Sequence, residues 1–193
     1  MNLSDIREKV KECRLCRLCE EANNSVPGEG SENADILFIG EAPGKKEDEM
    51  GMPFVGAAGK FLTEMLSACN IDRQDVFITN VVKHRPPANR DPLPDEISSC
   101  FPYLQDQIDI IQPNVIVLLG RHALNRFLPD LRISDVHGSA MRAQGPLAEK
   151  HIFFPVYHPA SALYNPKMRD TLIKDMKKLP VLLKKIKKSN VSS

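Results

Sequence analysis

The chain has 193 residues, of which 42% are hydrophobic, and its formal net charge is +1. This length suffices for one sizeable core and is short for two ordinary domains, so we expect a single domain over residues 1–193. No apolar run approaches the roughly 18 residues of a membrane span, and the charged N-terminal stretch is unlike a signal peptide. We therefore expect a cytoplasmic protein rather than a membrane-spanning or secreted one.

The N-terminal segment carries the pair Cys13-Arg-Leu-Cys16. Two cysteines at this spacing are typical of ligands to an iron-sulfur cluster or to zinc. The chain has five cysteines in all, and a reducing compartment disfavours disulfide bonds between them. Metal ligation or burial is therefore the better explanation for these cysteines.

Short apolar runs rich in β-branched residues predict four buried strands, at residues 36–39, 76–79, 115–119 and 152–156. Helical patterns lie between them, most clearly in the apolar face formed by Phe61, Leu62, Met65, Leu66 and Cys69. This alternation predicts an α/β protein with three layers, α/β/α, around a four-stranded, mainly parallel sheet. Ligands of such sheets bind beyond the carboxyl ends of the strands, so the loops that follow the strands are where a site is expected.

The loop after the first predicted strand reads Gly40-Glu41-Ala42-Pro43-Gly44. Its glycines allow a tight turn with outward-facing amide groups, which suits an oxyanion or a carbonyl oxygen. The loop lacks the Lys-Ser/Thr of a phosphate-binding P-loop and the spacing of a dinucleotide fingerprint. Phe54 follows within a frame of glycines and prolines, off any periodic core face. This position predicts a flat stacking surface.

Asn80 ends the second predicted strand, and His158 follows the last one. The amide of an Asn offers the adjacent donor and acceptor that the edge of a pyrimidine requires, although an isolated Asn caps a turn at least as often. Pro159 restricts His158 to extended backbone. A lone His is more often structural than catalytic, but several polar groups at one rim of a sheet favour a binding site.

The remaining segments complete the predicted organisation. A stiff loop with Pro86-Pro87 precedes a helix from about Asp95 to Ile111, and an irregular excursion covers 128–150. A terminal helix begins near Lys167, and Pro180 ends or kinks it. Residues 174–193 hold seven Lys and one Asp, a charge run more typical of a solvated helix than of a DNA-binding strip.

Four motifs, taken in order, resemble the uracil-DNA glycosylase superfamily, specifically its family-four iron-sulfur class. They are Gly-Glu-Ala-Pro-Gly at 40–44, Gly-Met-Pro-Phe-Val-Gly-Ala-Ala-Gly at 51–59, Thr-Asn-Val-Val-Lys at 79–83 and His-Pro-Ala at 158–160. Each motif is modest alone, but their order and spacing together are specific. The resemblance runs from Cys13 to about Leu163, most of the chain.

The resemblance implies an enzyme of base excision repair that hydrolyses the N-glycosidic bond of uracil flipped out of DNA. It implies that the backbone from Gly40 through Glu41 to Ala42 holds the base and the attacking water. Phe54 would stack on uracil, Asn80 would read its Watson-Crick edge, and His158 would donate to its O2 oxygen.

The residue that polarises the attacking water stays open between two acidic side chains. Glu41 and Glu47 are both candidates. Ala42 stands where other branches of the superfamily keep an acidic residue, so this position offers no strong general base, and charge stabilisation would then supply much of the rate.

The same resemblance implies a 4Fe-4S cluster held by Cys13, Cys16 and Cys100, with a further ligand at the position that His84 occupies. Three interpretations compete: His84 ligates through a ring nitrogen, Cys19 replaces it, or the cluster is incomplete. We favour His84 because imidazole substitutes for thiolate in known clusters. Zinc stays possible on ligand chemistry alone. Cys69 is assigned to the core.

The cluster is expected to tie the N-terminal segment to the loop 83–94 and so to direct Arg85 and Arg90 towards DNA. The expected partner is uracil-containing DNA, single- or double-stranded, bound by a monomer. One alternative is a module on the same fold that binds uracil or damaged DNA without cutting it. A nucleotide-binding enzyme is disfavoured because the phosphate fingerprints are missing.

Overall fold

The computed structural model describes residues 2–142 and 150–191, and its centre is one β-sheet. The strands in chain order are β1 Glu29–Gly30, β2 Ile36–Gly40, β3 Phe77–Asn80, β4 Val115–Leu119 and β5 Ile152–Val156. The helices that flank them within the described ranges are α1 Leu3–Lys11, α2 Leu18–Glu21, α3 Lys45–Met50, α4 Ala57–Ser67, α5 Pro94–Ile111, α6 Arg121–Phe127, α7 Ile133–Val136, α8 Pro166–Met176 and α9 Leu179–Val191.

The strand order in the sheet is β1-β3-β2-β4-β5. Strands β2 to β5 are parallel, and β1 pairs antiparallel with β3. The chain moves from β2 to β3 on one side and then crosses to β4 on the other side of β2. This reversal creates a topological switch point, and the loop that follows β2 opens into the crevice beside it.

The prediction of an α/β protein with a mainly parallel sheet is confirmed, but the predicted number of four strands is wrong. The fifth strand, β1, has two residues and no apolar pattern that could have predicted it. Gly30 has a φ of +129°, and a side-chain carbon placed on it would lie 1.9 Å from the carbonyl oxygen of Val76. Strand β1 therefore forms through a close backbone approach that depends on glycine.

Helices cover both faces of the sheet because successive strand residues point to opposite sides. In β2, Leu37 and Ile39 pack in a core with α1, α5 and α6, whereas Ile36 and Phe38 pack in a second core with α4, α8 and α9. All five residues of β2 are buried, as expected for a strand covered on both faces. The two cores hold the strand ends, and hence the loops after them, in fixed positions.

The other predicted elements lie close to their expected bounds. The helix expected from about Asp95 is α5, and the terminal helix is interrupted as expected, since α8 ends at Met176 and α9 contains Pro180 at its second position. The irregular excursion includes α7 and a single bridge between Met141 and Phe153, while its residues 143–149 lie outside the described part. None of the described helices has the length and apolar character needed to cross a membrane.

The basic terminal segment is partly paired within the protein. Lys178 Nζ lies 3.0 Å from Asp175 Oδ1, and Lys187 Nζ lies 2.6 Å from Asp35 Oδ2. Residues 192 and 193 of the same run lie outside the described part. The two ion pairs agree with the interpretation of this run as a solvated helix face.

Candidate active site

A cavity of about 370 Å³ opens at the carboxyl ends of the strands. This volume lies in the range of small-molecule sites. Separate segments contribute its walls, and the residues that line it include Glu41, Ala42, Pro43, Gly44, Glu47, Phe54, Asn80, Asn89, Arg90, Asp91 and His158. The aromatic, amide and imidazole side chains singled out in the sequence therefore share one cavity.

Phe54 forms one wall of the cavity and has an unusual backbone. Its φ is +51°, in the left-handed region that few non-glycine residues occupy. Glu47 stabilises this turn, since its Oε1 accepts hydrogen bonds from the backbone N–H groups of Val55, at 2.9 Å, and Gly56, at 2.8 Å. Gly59 permits the turn, because a side-chain carbon there would lie 1.8 Å from the carbonyl oxygen of Phe54. The ring is thus fixed before any ligand arrives.

Asn80 lies at the end of β3, where only 1% of its surface is exposed. Its Oδ1 atom has no hydrogen-bond partner among the described residues. A side-chain carbon on Gly40 would lie 2.3 Å from this Oδ1 and 2.7 Å from the ring of Phe54. Glycine at position 40 therefore lets the amide and the aromatic ring face the same space, and the amide oxygen is a free acceptor.

His158 adopts the extended backbone predicted for a residue before proline, with φ −66° and ψ 135°. Its Nδ1 accepts the backbone N–H of Ala160 at 3.2 Å, so the neutral ring carries its proton on Nε2. Burial lowers the pKa of His158 to about 4, although nearby Glu47 opposes this and His122 reinforces it. The ring lies 5.8 Å from that of Phe54, centroid to centroid. His158 is therefore a neutral hydrogen-bond donor at physiological pH.

Glu41 stands at the rim of the cavity beside a second carboxylate. Nε2 of His122 lies 3.8 Å from Glu41 Oε2 and 3.3 Å from Asp91 Oδ2. Burial, followed by the negative charge of Asp91, raises the pKa of Glu41 to about 7, while Arg121 lowers it. Glu41 can therefore gain or lose a proton near neutral pH, as a general base must.

Sequence reasoning missed the wall formed by the loop after β3. Asn89, Arg90 and Asp91 line the cavity, although the proline-rich run had been interpreted only as a stiff connection that directs arginines to DNA. Arg90 forms two hydrogen bonds with the carboxylate of Glu96, with nitrogen–oxygen distances of 2.8 and 2.6 Å. Arg85 donates to Asn89 Oδ1 at 2.7 Å. The sequence could have indicated that this loop lines the cavity, because the loop follows a parallel strand and so lies at the same edge of the sheet as the other site loops.

Lys83 is buried next to the site residue Asn80, and nothing in the sequence marks this lysine as buried. Its side chain is 1% exposed, and its Nζ donates to Thr79 Oγ1 at 2.7 Å, to the Asn80 carbonyl at 2.8 Å and to Gln107 Oε1 at 2.8 Å. Burial lowers the pKa of Lys83 to about 8, with the Cys100 thiol opposing the shift. Lys83 therefore links the end of β3 to helix α5.

The cysteines expected to hold a metal group meet between the N-terminal segment and α5. Cys100 interacts electrostatically with Cys13 and Cys16, and Cys16 also interacts with Cys19. All these thiols are free of disulfide bonds. His84 is 6% exposed and interacts with Arg14, which lies between the paired cysteines. Cys19 lies on the N-terminal segment that carries Cys13 and Cys16, whereas His84 lies on the loop between β3 and α5 and interacts with that segment through Arg14.

The thiols are not grouped as closely as the ligands of a single tetrahedral ion. In a tetrahedral zinc site with Zn–S bonds of about 2.3 Å, sulfurs stand about 3.8 Å apart. Within the described ranges, the group of three or more potential ligand atoms that lie within 4.8 Å of one another is Glu41, Asp91 and His122, and no cysteine belongs to it. A cluster of several irons separates its ligands further than one ion does, so the donor set is compatible with the iron-sulfur group.

The fold and the site together define an α/β protein with a cavity at the switch point of its sheet, lined by an aromatic ring, an amide and an imidazole. Residues 27–179 match the sequence pattern of the uracil DNA glycosylase superfamily. The chain belongs to this superfamily and, by its relatives, to the type-4 group, which confirms the predicted resemblance.

Three relatives illustrate the similarity. A type-4 uracil-DNA glycosylase of Sulfurisphaera tokodaii is 49% identical over 185 residues, which cover 92% of this chain and 83% of the relative. The type-4 enzyme of Archaeoglobus fulgidus is 48% identical, with 92% of each chain covered. That of Thermotoga maritima is 42% identical, with 93% of this chain and 94% of the relative covered.

Proposed function

We propose that this protein is a uracil-DNA glycosylase of base excision repair, which hydrolyses the bond between uracil N1 and deoxyribose C1′. The observation that carries the proposal is the buried amide of Asn80, whose Oδ1 lacks a partner among the described residues and shares a cavity with Phe54 and His158. Three full-length relatives named as type-4 uracil-DNA glycosylases support it.

Recognition follows from the hydrogen-bonding edge of the base. Uracil offers an N3–H donor for Asn80 Oδ1 and an O4 acceptor for the amide nitrogen, while its ring stacks on Phe54. Cytosine presents an acceptor at N3 and a donor at N4, so the same amide orientation meets it with two mismatched contacts. A buried polar group left without its partner costs about 1–3 kcal/mol, which discriminates against cytosine.

Charge stabilisation drives bond cleavage in this proposal. As the C1′–N1 bond breaks, its electron pair moves onto uracil and the sugar gains positive character. His158 donates its Nε2 proton in a hydrogen bond to O2, where negative charge accumulates. Because the ring is neutral and already oriented by the backbone of Ala160, it does not reorganise during the reaction.

We assign water activation to Glu41 and a supporting role to Glu47. One oxygen of Glu47 is occupied by the backbone of the Phe54 turn, whereas Glu41 stands at the cavity rim with a pKa near 7. The water oxygen attacks C1′ as the C1′–N1 bond breaks, and one water proton passes to Glu41. That proton then returns to the departing uracil anion, so the products are uracil and an abasic site. The base must first leave the duplex stack, which costs a few kcal/mol and is cheapest in mismatches or single strands.

Cys13, Cys16, Cys100 and His84 would hold a 4Fe-4S cluster. When bound, the cluster supplies a structural cross-link between the N-terminal segment and the segments on either side of the loop 83–94, and the hydrolysis itself does not use it. In this proposal the protein acts as a monomer and a single domain in the cytoplasm, on single- or double-stranded DNA that contains uracil.

A product assay tests the proposal. Cluster-bearing protein is mixed with a deoxyuridine oligonucleotide, and released uracil and abasic sites are measured beside Asn80→Ala, His158→Ala and the distant surface variant Asp109→Asn. We expect release by the wild type and Asp109→Asn, and a loss of about 10²–10³ in each site variant, the usual effect of removing one charge-stabilising donor. Tight binding to uracil-containing DNA without any release would instead identify a non-cleaving module.

A further inference from the structure

Lys83 is a buried lysine that forms no ion pair with a carboxylate among the residues that the structure describes. Its side chain is 1% exposed, and among the residues of 2–142 and 150–191 the ionisable group found to interact with it is the thiol of Cys100. Removing an ammonium group from water is costly unless nearby groups compensate for the lost hydration. An apolar side chain of the same length would avoid that cost, so the charge itself calls for an explanation.

The hydrogen bonds of Lys83 are complete and rigid. Three oxygen atoms lie within 2.8 Å of Nζ, on Thr79, Asn80 and Gln107, and they match the three N–H groups of an ammonium. Gln107 and Thr79 in turn donate to the carbonyl oxygen of Pro27, at 2.6 and 3.2 Å. A fully satisfied buried network of this kind fixes the groups that it contains.

The contact with Asn80 connects this network to the base-binding cavity. Lys83 binds the backbone carbonyl of the same residue whose side-chain amide faces the cavity. The ammonium therefore restrains the end of β3 and also places a positive charge 2.8 Å from the backbone carbonyl of a residue that lines the cavity. In a water-poor interior, a fixed charge acts more strongly on a developing charge than it would in solvent.

We propose that Lys83 is a positioning residue for glycosidic cleavage, which holds Asn80 against the flipped uracil and stabilises the negative charge of the departing base. This inference rests on the proposed function and names a participant that touches neither the base nor the water. Lys83 would contribute in two ways, through its restraint of Asn80 and through its positive charge.

Lys83→Met tests the proposal, because methionine keeps the length of the side chain and removes the charge and the donors. We expect single-turnover cleavage to fall by about thirtyfold or more, within the range for lost charge stabilisation, while affinity for uracil-containing DNA stays within about threefold. The matched control is Thr79→Val, which removes one acceptor of the same network and retains the ammonium. We expect Thr79→Val to lose less than about fivefold in rate, a single neutral hydrogen bond.

A second readout distinguishes the charge of Lys83 from its packing, because Lys83→Arg keeps a positive charge and N–H donors at this position. Lys83→Arg should recover part of the cleavage rate, and Lys83→Gln replaces Lys83→Met if the latter does not fold.

Iron content and thermal unfolding are recorded for each variant, since the backbone N–H of Lys83 also donates to Cys100 Sγ at 3.2 Å. Equal rate losses in Lys83→Met and Thr79→Val, or wild-type cleavage by Lys83→Met, would overturn the inference and leave the proposed function intact. A wild-type protein that releases no uracil would refute the proposed function itself, so the two failures are distinguishable.

Discussion

At Asn80, the amide oxygen is buried without a hydrogen-bond partner among the described residues. Such an atom costs about 1–3 kcal/mol in the free protein. The cost disappears when a ligand supplies an N–H donor, so part of the binding energy comes from relieving an existing penalty. The second unpartnered buried side-chain atom in the described part is Nε2 of His151, which lies outside the residues lining the cavity.

Glu41 leads to a prediction about pH. Water activation requires its ionised form, and its pKa of about 7 means that this form increases as pH rises through neutrality. Single-turnover cleavage should therefore increase between about pH 6 and pH 8 and then level off. His158 contributes no inflection in this window, because its lowered pKa keeps the ring neutral throughout.

The control for this pH profile is Asp91→Asn. It removes the negative charge that raises the pKa of Glu41, so the inflection should move to lower pH. Glu41→Gln should abolish the inflection and lower the plateau. A wild-type rate that does not change between pH 6 and 8 would exclude Glu41 as the base.

Gly40, the last residue of β2, leaves the space that the cavity requires. Gly40→Ala would place a carbon 2.3 Å from Asn80 Oδ1 and 2.7 Å from the Phe54 ring, so one of these groups must move. We expect the variant to fold, because the strand remains apolar and buried, but to lose uracil release by at least about 10²-fold, since misplacement of about 1 Å has that effect. Cleavage assays beside circular dichroism check this.

Gly44→Ala is a comparison for Gly40→Ala. The atom nearest to a side-chain carbon on Gly44 is Glu47 Oε2, at 2.8 Å, which is the end of a flexible side chain. Because this carboxylate can adjust, the loss of activity should be smaller than for Gly40→Ala. Equal losses in the two variants would contradict the role assigned to Gly40.

The elements could be predicted from sequence wherever burial leaves a periodic pattern. Strands β2 to β5 are short apolar runs, and their carboxyl ends locate the site loops, which is why Phe54, Asn80 and His158 could be expected at one rim. Strand β1 could not be predicted, because it depends on a backbone contact of Gly30 with a strand about 46 residues away in sequence.

The sequence also could not predict which side chains of the site pair with each other. The two glutamates of the site look equivalent in sequence, yet one carboxylate binds the Phe54 turn and the other stands beside Asp91. The bidentate partner of Arg90 and the three acceptors of Lys83 likewise depend on which residues the fold brings together. The local sequence pattern does not specify which of these polar side chains pair with one another.

The proposed cluster ligands lead to a prediction about iron content and stability. Cys100→Ser should lose iron and the visible absorption of the cluster, and should unfold at a lower temperature, because metal binding to the native state contributes to stability. If His84 is the fourth ligand, His84→Ala should lose iron while Cys19→Ser retains it, and His84→Cys should retain a full cluster. The reverse order for His84→Ala and Cys19→Ser would assign the ligand to Cys19.

The short strand β1 has a consequence for the protein in a crowded cell. An open sheet edge exposes unpaired N–H and C=O groups that can recruit strands from other chains and begin aggregation. Strand β1 pairs with β3 along Glu29–Gly30 and covers part of that edge. Because β1 has only two residues, it exposes few unpaired N–H and C=O groups to a strand of another chain. Gly30 thereby shortens the open length of β3 to which another chain could add a strand.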